Sequence, residues 1–142
     1  MIQRIQTVHL LTAAVAVVII PFLDIVSSGV AARSQVWFVP AIAAIGALLV
    51  VGLLASVFLY ANRRRQLRVV AALQFGVILL AAVEYGGLYL AGALRLTGSG
   101  SGHIDVWIAV ALPIVSYVGV ALARRAIQKD IDLVRSMDRL RD

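Results

Sequence analysis

Four long apolar stretches dominate the chain, and short polar connections separate them. They cover residues 5–26, 36–61, 69–94 and 106–123, and they carry few charged side chains. A helix rises 1.5 Å per residue, so about 20 apolar residues cross a hydrocarbon core of about 30 Å. Because backbone groups in lipid must be hydrogen-bonded within their own segment, each stretch predicts a membrane-spanning helix. The predicted fold class is an all-α, four-helix transmembrane bundle.

The C-terminal segment, residues 124–142, has a different apolar pattern. Its apolar side chains recur every three or four positions and predict an amphipathic helix with one apolar stripe: Ile127, Ile131, Val134, Met137 and Leu140. We therefore divide the chain into a bundle, residues 1–123, and a cytoplasmic helical tail. An apolar stripe outside a membrane needs a cover, which is the bilayer surface, a second copy of the chain or a partner protein.

The basic residues are distributed unequally between the two sides of the predicted bundle. One side holds eleven of the 13 arginines and lysines: Arg4, Arg63, Arg64, Arg65, Arg68, Arg124, Arg125, Lys129, Arg135, Arg139 and Arg141. The other side holds only Arg33 and Arg95, together with Trp37 and Trp107 as interfacial anchors. The positive-inside rule then predicts that both termini lie in the cytoplasm.

Composition excludes several classes of function. The chain is 62% apolar and 14% charged, which is far from the balance of soluble domains. Its net charge of +6 indicates attraction to anionic lipid headgroups rather than to nucleic acid. There is no cysteine, and His9 and His103 are predicted on opposite sides of the membrane, so neither a metal nor a cofactor is expected. With no catalytic motif present, we expect a protein that is not an enzyme.

Glu84 is the acidic residue that lies deepest within a predicted span. A charge at that depth costs about 2.5–3.5 kcal/mol on insertion scales, so the side chain should face the bundle interior or water. We expect its carboxyl group to be protonated at neutral pH. The functional interpretation is a proton, cation or ligand site. The structural interpretation is a neutral side chain hydrogen-bonded to Ser116, to Tyr117 or to a carbonyl group that a proline leaves free.

Two further polar side chains lie in or beside the predicted spans. Gln74 is expected to hydrogen-bond between helices. Asp24, near the outer end of the first helix, either lies at the interface, pairs with Arg33 or Arg95, or shares a site with Glu84. Three of the spans carry a proline in the outer half, where irregular backbone could hold a wet cavity above Glu84: Pro21, Pro40 and Pro113.

The two ends of the chain resemble a known family. Residues 1–7 read MIQRIQT, residues 125–130 read RAIQKD, and residues 133–141 read LVRSMDRLR. These stretches resemble the domain of unknown function 4293, a family of small four-pass membrane proteins from Bacteroidota. Ile131-Asp132 stands where the family pattern has two acidic residues. The resemblance implies an inner-membrane location and a role for the cytoplasmic ends, but no activity.

The sequence is compatible with three functions. The first is a non-enzymatic accessory or interaction protein that binds a membrane-protein partner or anionic lipid through a basic cytoplasmic face: Arg4, Arg63, Arg64, Arg65, Arg68, Arg125, Lys129, Arg135 and Arg139. The second is a small proton-coupled transporter or ligand-binding bundle centred on Glu84. The third is a homo-oligomeric channel, which needs Glu84 at an interface between subunits.

Overall fold

The computed structural model describes the backbone of residues 2–94 and 101–141 and the side chains of residues 5–94 and 104–137. Within these ranges the chain is helical and contains no strand. Four helices are long and apolar enough to cross a membrane. The α-helices are α1 (Ile2–Ile19), α2 (Asp24–Ser27), α3 (Val30–Ser34), α4 (Phe38–Val57), α5 (Arg63–Leu90) and α6 (Ser101–Arg141).

The four long helices pack as a ring. Helix α1 contacts α4 and α6, and α5 also contacts α4 and α6, so α6 closes the ring against α1. Helices that follow one another run antiparallel, and their buried faces form one apolar core that includes Leu10, Ile42, Leu53, Leu80 and Val120. We call the end that carries Arg63 and Arg124 the basic end. The end that carries Trp37 and Trp107 is the tryptophan end.

The first long helix is shorter than the predicted span, 5–26. Helix α1 ends at Ile19 because Pro21 has no N–H group to continue the helical hydrogen bonds. Residues Ile20–Phe22 form a 3₁₀ turn, and Leu23 is extended with φ −68° and ψ 134°. The predicted connection, residues 27–35, therefore contains all of α3, whereas α2 lies almost entirely within the predicted span.

The third span also differs from its predicted limits, 69–94. Helix α5 begins at Arg63, because the side chain of Asn62 accepts a hydrogen bond from the backbone N–H of Arg65 at 3.1 Å and caps the first turn. It ends at Leu90, close to Gly92, whose φ of 64° is the left-handed conformation in which helices commonly end. The arginines that were expected in a loop therefore lie in the first turns of α5.

The fourth span and the tail form one helix. The sequence predicts a span over 106–123 and a helical tail over 124–142 with no glycine or proline between them, and α6 runs without a break for 41 residues. At 1.5 Å per residue its length is about 60 Å, about twice the thickness of a hydrocarbon core. Pro113 lies inside α6 and does not end it. The second span, predicted over 36–61, is α4 followed by the 3₁₀ turn Phe58–Ala61.

Candidate functional site

An ion pair fixes the base of the tail to the bundle at the basic end. The guanidinium group of Arg63, at the start of α5, pairs with the carboxylate of Asp130 in α6. Beside this pair, Ile127 is completely buried and Ile131 packs against the apolar core. The first part of the predicted apolar stripe is therefore covered by the bundle itself.

Beyond Ile131 the stripe has no cover from the chain. Val134 is 42% exposed and Met137 is 63% exposed, although both are large apolar side chains. They continue the same face of α6 that is buried higher in the bundle at Ala123 and Ile127. The projecting part, from residue 132 to residue 141, is about 15 Å long. The side chain of Leu140 lies outside the described residues.

A groove lies between the start of α5 and the tail. It has a volume of about 470 Å³, and its lining includes Arg63, Arg64 and Arg135 together with the apolar side chains of Ile131 and Val134. The other predicted binding residues at this end that the structure describes are exposed: Arg65, Arg68, Arg125 and Lys129. The side chains of Arg4 and Arg139 lie outside the described residues.

Polar side chains also connect the long helices near the basic end. The amide of Gln66 donates a hydrogen bond of 3.0 Å to the backbone carbonyl of Ser56 and is buried. Gln74 accepts a hydrogen bond of 3.2 Å from Arg124, so it joins α5 to α6. Gln66 was not among the predicted site residues, because its position among arginines is typical of a solvated segment. Asn62, a residue type that favours helix starts, was the signal that could have placed Gln66 in a helix.

Glu84 faces the interior of the bundle. Its side chain is completely buried, and neither carboxyl oxygen has a hydrogen-bond partner. The hydroxyl group of Ser116 is likewise buried without a partner, and Tyr117 is exposed. The predicted hydrogen bonds from Glu84 to Ser116, to Tyr117 or to a free carbonyl group are therefore wrong. Glu84 also lies six residues before the end of α5, nearer the tryptophan end than the sequence indicated.

Unlike Glu84, two nearby polar side chains donate hydrogen bonds to backbone carbonyl groups. The hydroxyl of Tyr85 donates a hydrogen bond of 2.6 Å to the carbonyl of Val110, three residues before Pro113. The amide of Gln35 donates a hydrogen bond of 3.2 Å to the carbonyl of Gly87, one turn beyond Glu84, while the side-chain oxygen of Gln35 has no partner. Gln35 was not among the predicted site residues, since nothing in its sequence surroundings distinguishes it from an ordinary residue in a connection.

Asp24 is not part of a site with Glu84. It is exposed at the start of α2, and the only ion pair among the described side chains is Arg63–Asp130. Arg33 is exposed as well, and Arg95 lies outside the described residues. Glu84 does not line any of five grooves on the described surface. Within the part of the chain that the structure describes, no group of three or more acidic or histidine side chains could hold a metal ion.

The fold and the placement of charge define the class of the protein. A ring of four apolar helices, with arginines gathered at one end and tryptophans at the other, is the architecture of a multi-pass membrane protein. The chain belongs to the family described as Domain of unknown function (DUF4293), whose model matches residues 2–140. No curated protein and no solved structure matches it.

Proposed function

We propose that the protein is a non-enzymatic membrane anchor whose tail binds a partner protein in the cytoplasm. In this proposal the basic end faces the cytoplasm of the inner membrane, as the excess of arginine at that end favours. The observation that carries the proposal is the uninterrupted course of α6 from Ser101 to Arg141. It extends the apolar stripe beyond the bundle, where Val134 and Met137 are uncovered.

The direction of the tail favours a protein partner over the bilayer surface. A helix that lies on the membrane must turn sharply away from the helix that crosses it, which requires a break in α6 near Ile127. Here α6 is continuous, and both the burial of Ile127 and the ion pair between Arg63 and Asp130 hold its base against the bundle. The tail therefore continues away from the membrane, and its stripe is available to a soluble segment.

The stripe and its neighbouring charges indicate the chemistry of the partner. Because the exposed face continues the face by which α6 packs on the bundle, it fits another helix with an apolar stripe of its own. Arg135 is exposed beside it, so acidic residues on the partner helix would be attracted. The occupant in this proposal is therefore an acidic amphipathic helix of another protein.

The test compares two neighbouring positions on the tail. Met137→Asp places a charge on the uncovered stripe, whereas Ser136→Asp places the same charge on the opposite, exposed face. The full-length chain is purified from its native membrane in mild detergent, and the co-purifying partner is then prepared separately and titrated back. Met137→Asp should weaken that binding about tenfold, the effect of losing one apolar anchor of about 1.4 kcal/mol. Ser136→Asp should leave it unchanged.

A truncation gives the second arm of the test. Ending the chain after Ile131 removes the projecting tail and keeps Asp130, so the ion pair and the buried Ile127 remain. This variant should fold and lose the partner. Equal binding by the truncated chain, or equal losses for Met137→Asp and Ser136→Asp, would contradict the proposal.

A transporter or ligand-binding bundle centred on Glu84 is the second candidate function. It is favoured by one observation, the completely buried carboxyl group without a hydrogen-bond partner. It also needs a polar cavity that reaches this group, and Glu84 lines none of the five grooves. A channel between subunits needs Glu84 on the outer surface of the chain, whereas the side chain faces inward. The tail therefore carries the stronger argument.

A further inference from the structure

We infer that the groove between the start of α5 and the tail binds the headgroup of an anionic phospholipid. The groove is the one lined by Arg63, Arg64, Arg135, Ile131 and Val134. This site shares Val134 and Arg135 with the partner-binding face but adds Arg63 and Arg64 from α5, and it does not depend on which side of the membrane the basic end faces. Three properties of the groove lead to the inference: its charge, its lining and its depth.

The groove has a surplus of positive charge. Asp130 neutralises Arg63, and this is the only ion pair among the described side chains. Arg64 and Arg135 are both exposed and have no acidic partner there, so two guanidinium groups on opposite walls remain available. Guanidinium groups bind phosphate oxygens through paired hydrogen bonds, which makes a phosphate group a fitting ligand.

The lining combines this charge with apolar surface. Ile131 and Val134 contribute aliphatic side chains between the arginines. A free inorganic anion would gain nothing from that surface, whereas the glycerol backbone and first methylene groups of a lipid would bury apolar area there. The mixed lining therefore favours a phospholipid over a small anion.

The groove lies just outside the headgroup layer. A hydrocarbon core of about 30 Å takes about 20 residues of helix, which in α5 are those from Val70 to Leu90. Arg64 then lies about 9 Å outside the core, whereas the headgroup layer on each side is about 5–8 Å thick. The long side chain of Arg64 can extend back from there toward the lipid phosphates.

The experiment measures lipid retention by the full-length protein. The purified chain is reconstituted in vesicles of equimolar phosphatidylglycerol and phosphatidylcholine, extracted in mild detergent, and its bound lipids are counted by native mass spectrometry. The wild-type chain should retain phosphatidylglycerol in preference to phosphatidylcholine. The double variant Arg64→Gln/Arg135→Gln should lower that preference about thirtyfold, since each arginine that contacts the retained lipid directly contributes about fivefold.

A matched control separates the groove from general surface charge. Arg65→Gln/Arg68→Gln removes two exposed arginines at the same end that do not line the groove, and it should retain most of the preference. Equal losses in the two double variants, or no preference in the wild-type chain, would overturn the inference. Complete displacement of the lipid by millimolar inorganic phosphate would also overturn it, because the groove would then be a site for the free anion.

The same variants separate this inference from the proposed function. If Arg64→Gln/Arg135→Gln retained lipid like the wild-type chain but lost the partner protein, the groove would belong to the partner and the lipid site would be wrong. If Met137→Asp lost the partner and kept the lipid, both proposals would stand. The two outcomes are read from different measurements.

Discussion

Glu84 occupies a position that weakens the fold. Moving a carboxyl group from water to an apolar interior is unfavourable unless hydrogen bonds compensate for the lost water contacts. In this bundle both oxygens lack such bonds, and the nearby donors serve other groups: Tyr85 bonds to Val110 and Gln35 bonds to Gly87. Glu84 therefore does not stabilise the bundle, whereas its buried apolar neighbours in α5 do.

Replacing Glu84 with leucine should leave the free energy of unfolding unchanged or raise it. Leucine has a similar volume and carries no polar atom, and exchanging a buried polar group for an apolar one of similar shape is neutral or stabilising when no partner is left behind. The measurement is the midpoint of unfolding in mixed detergent micelles, followed by helical circular dichroism.

Leu80→Ala is the reference variant, against which the change in unfolding free energy of Glu84→Leu is compared. Leu80 is completely buried one turn before Glu84 on the same face, so its truncation should destabilise the bundle by about 2–5 kcal/mol. A loss of that size in Glu84→Leu would mean that the carboxyl group has partners in the membrane, and the description of an unpaired acid would have to be abandoned.

At the residue scale, the sequence predicted the direction of Glu84 and not its contacts. The inward direction follows from the cost of a charge in lipid, because an acidic residue within an apolar span is visible in the sequence itself. The contacts depend on the register between α5 and α6, which places the hydroxyl of Tyr85, rather than Glu84, near the carbonyl groups that precede Pro113. That register is set by packing along the entire length of both helices, so the local sequence does not determine it.

For the individual helices, the sequence predicted that they exist but not where they end. All four long helices were predicted from the length and apolarity of the stretches, because the thickness of a bilayer determines the length of a spanning helix and its hydrocarbon core requires apolar side chains. The ends were wrong where a single residue decides them: Pro21 ends α1 early, Asn62 starts α5 among the arginines, and Gly92 ends it. Charge alone suggested a loop at Arg63, but arginine is a good helix former and a capping residue precedes it.

The contact between α4 and α5 depends on a glycine. A Cβ atom at Gly87 would overlap the ring of Phe38, a completely buried side chain, whereas a Cβ atom at Gly86 would meet nothing within 4 Å. Small residues allow helix backbones to approach closely in membranes, and here only one of two adjacent glycines has that role. Nothing in the sequence shows which of Gly86 and Gly87 lies at the helix contact.

Gly87→Ala should therefore destabilise the bundle by about 1–3 kcal/mol, since the added methyl group forces Phe38 or the α5 backbone to shift. Gly86→Ala should be neutral or slightly stabilising, because alanine favours the helical conformation over glycine. Both are measured as shifts in the unfolding midpoint. Similar shifts for the two variants would show that the close approach at Phe38 is absent.

For the whole molecule, the unequal charge of the two ends makes a prediction about orientation. The chain has no cysteine, so single cysteines can be introduced without a competing thiol. Ser34→Cys, exposed near the tryptophan end, should react with a membrane-impermeant maleimide added to intact cells. Arg64→Cys, exposed at the basic end, should react only after the membrane is permeabilised.

Exposure of both positions makes a negative result informative, because neither thiol would be protected by burial. Labelling of Arg64→Cys alone in intact cells would reverse the orientation and remove the cytoplasmic partner from the proposal. Equal labelling of both in intact cells would indicate that the chain inserts in two directions, which the excess of arginine at one end argues against.

The length of α6 has a mechanical consequence. Because Asp130 pairs with Arg63 and Ile127 is buried, α6 is held against the bundle up to this level, and the segment beyond it moves with the bundle. From Asp130 to Arg141 this segment measures about 17 Å, so a tilt of about 10° would move its free end sideways by about 3 Å. A change of tilt among the four long helices would thus reach a partner bound at the tail as a displacement.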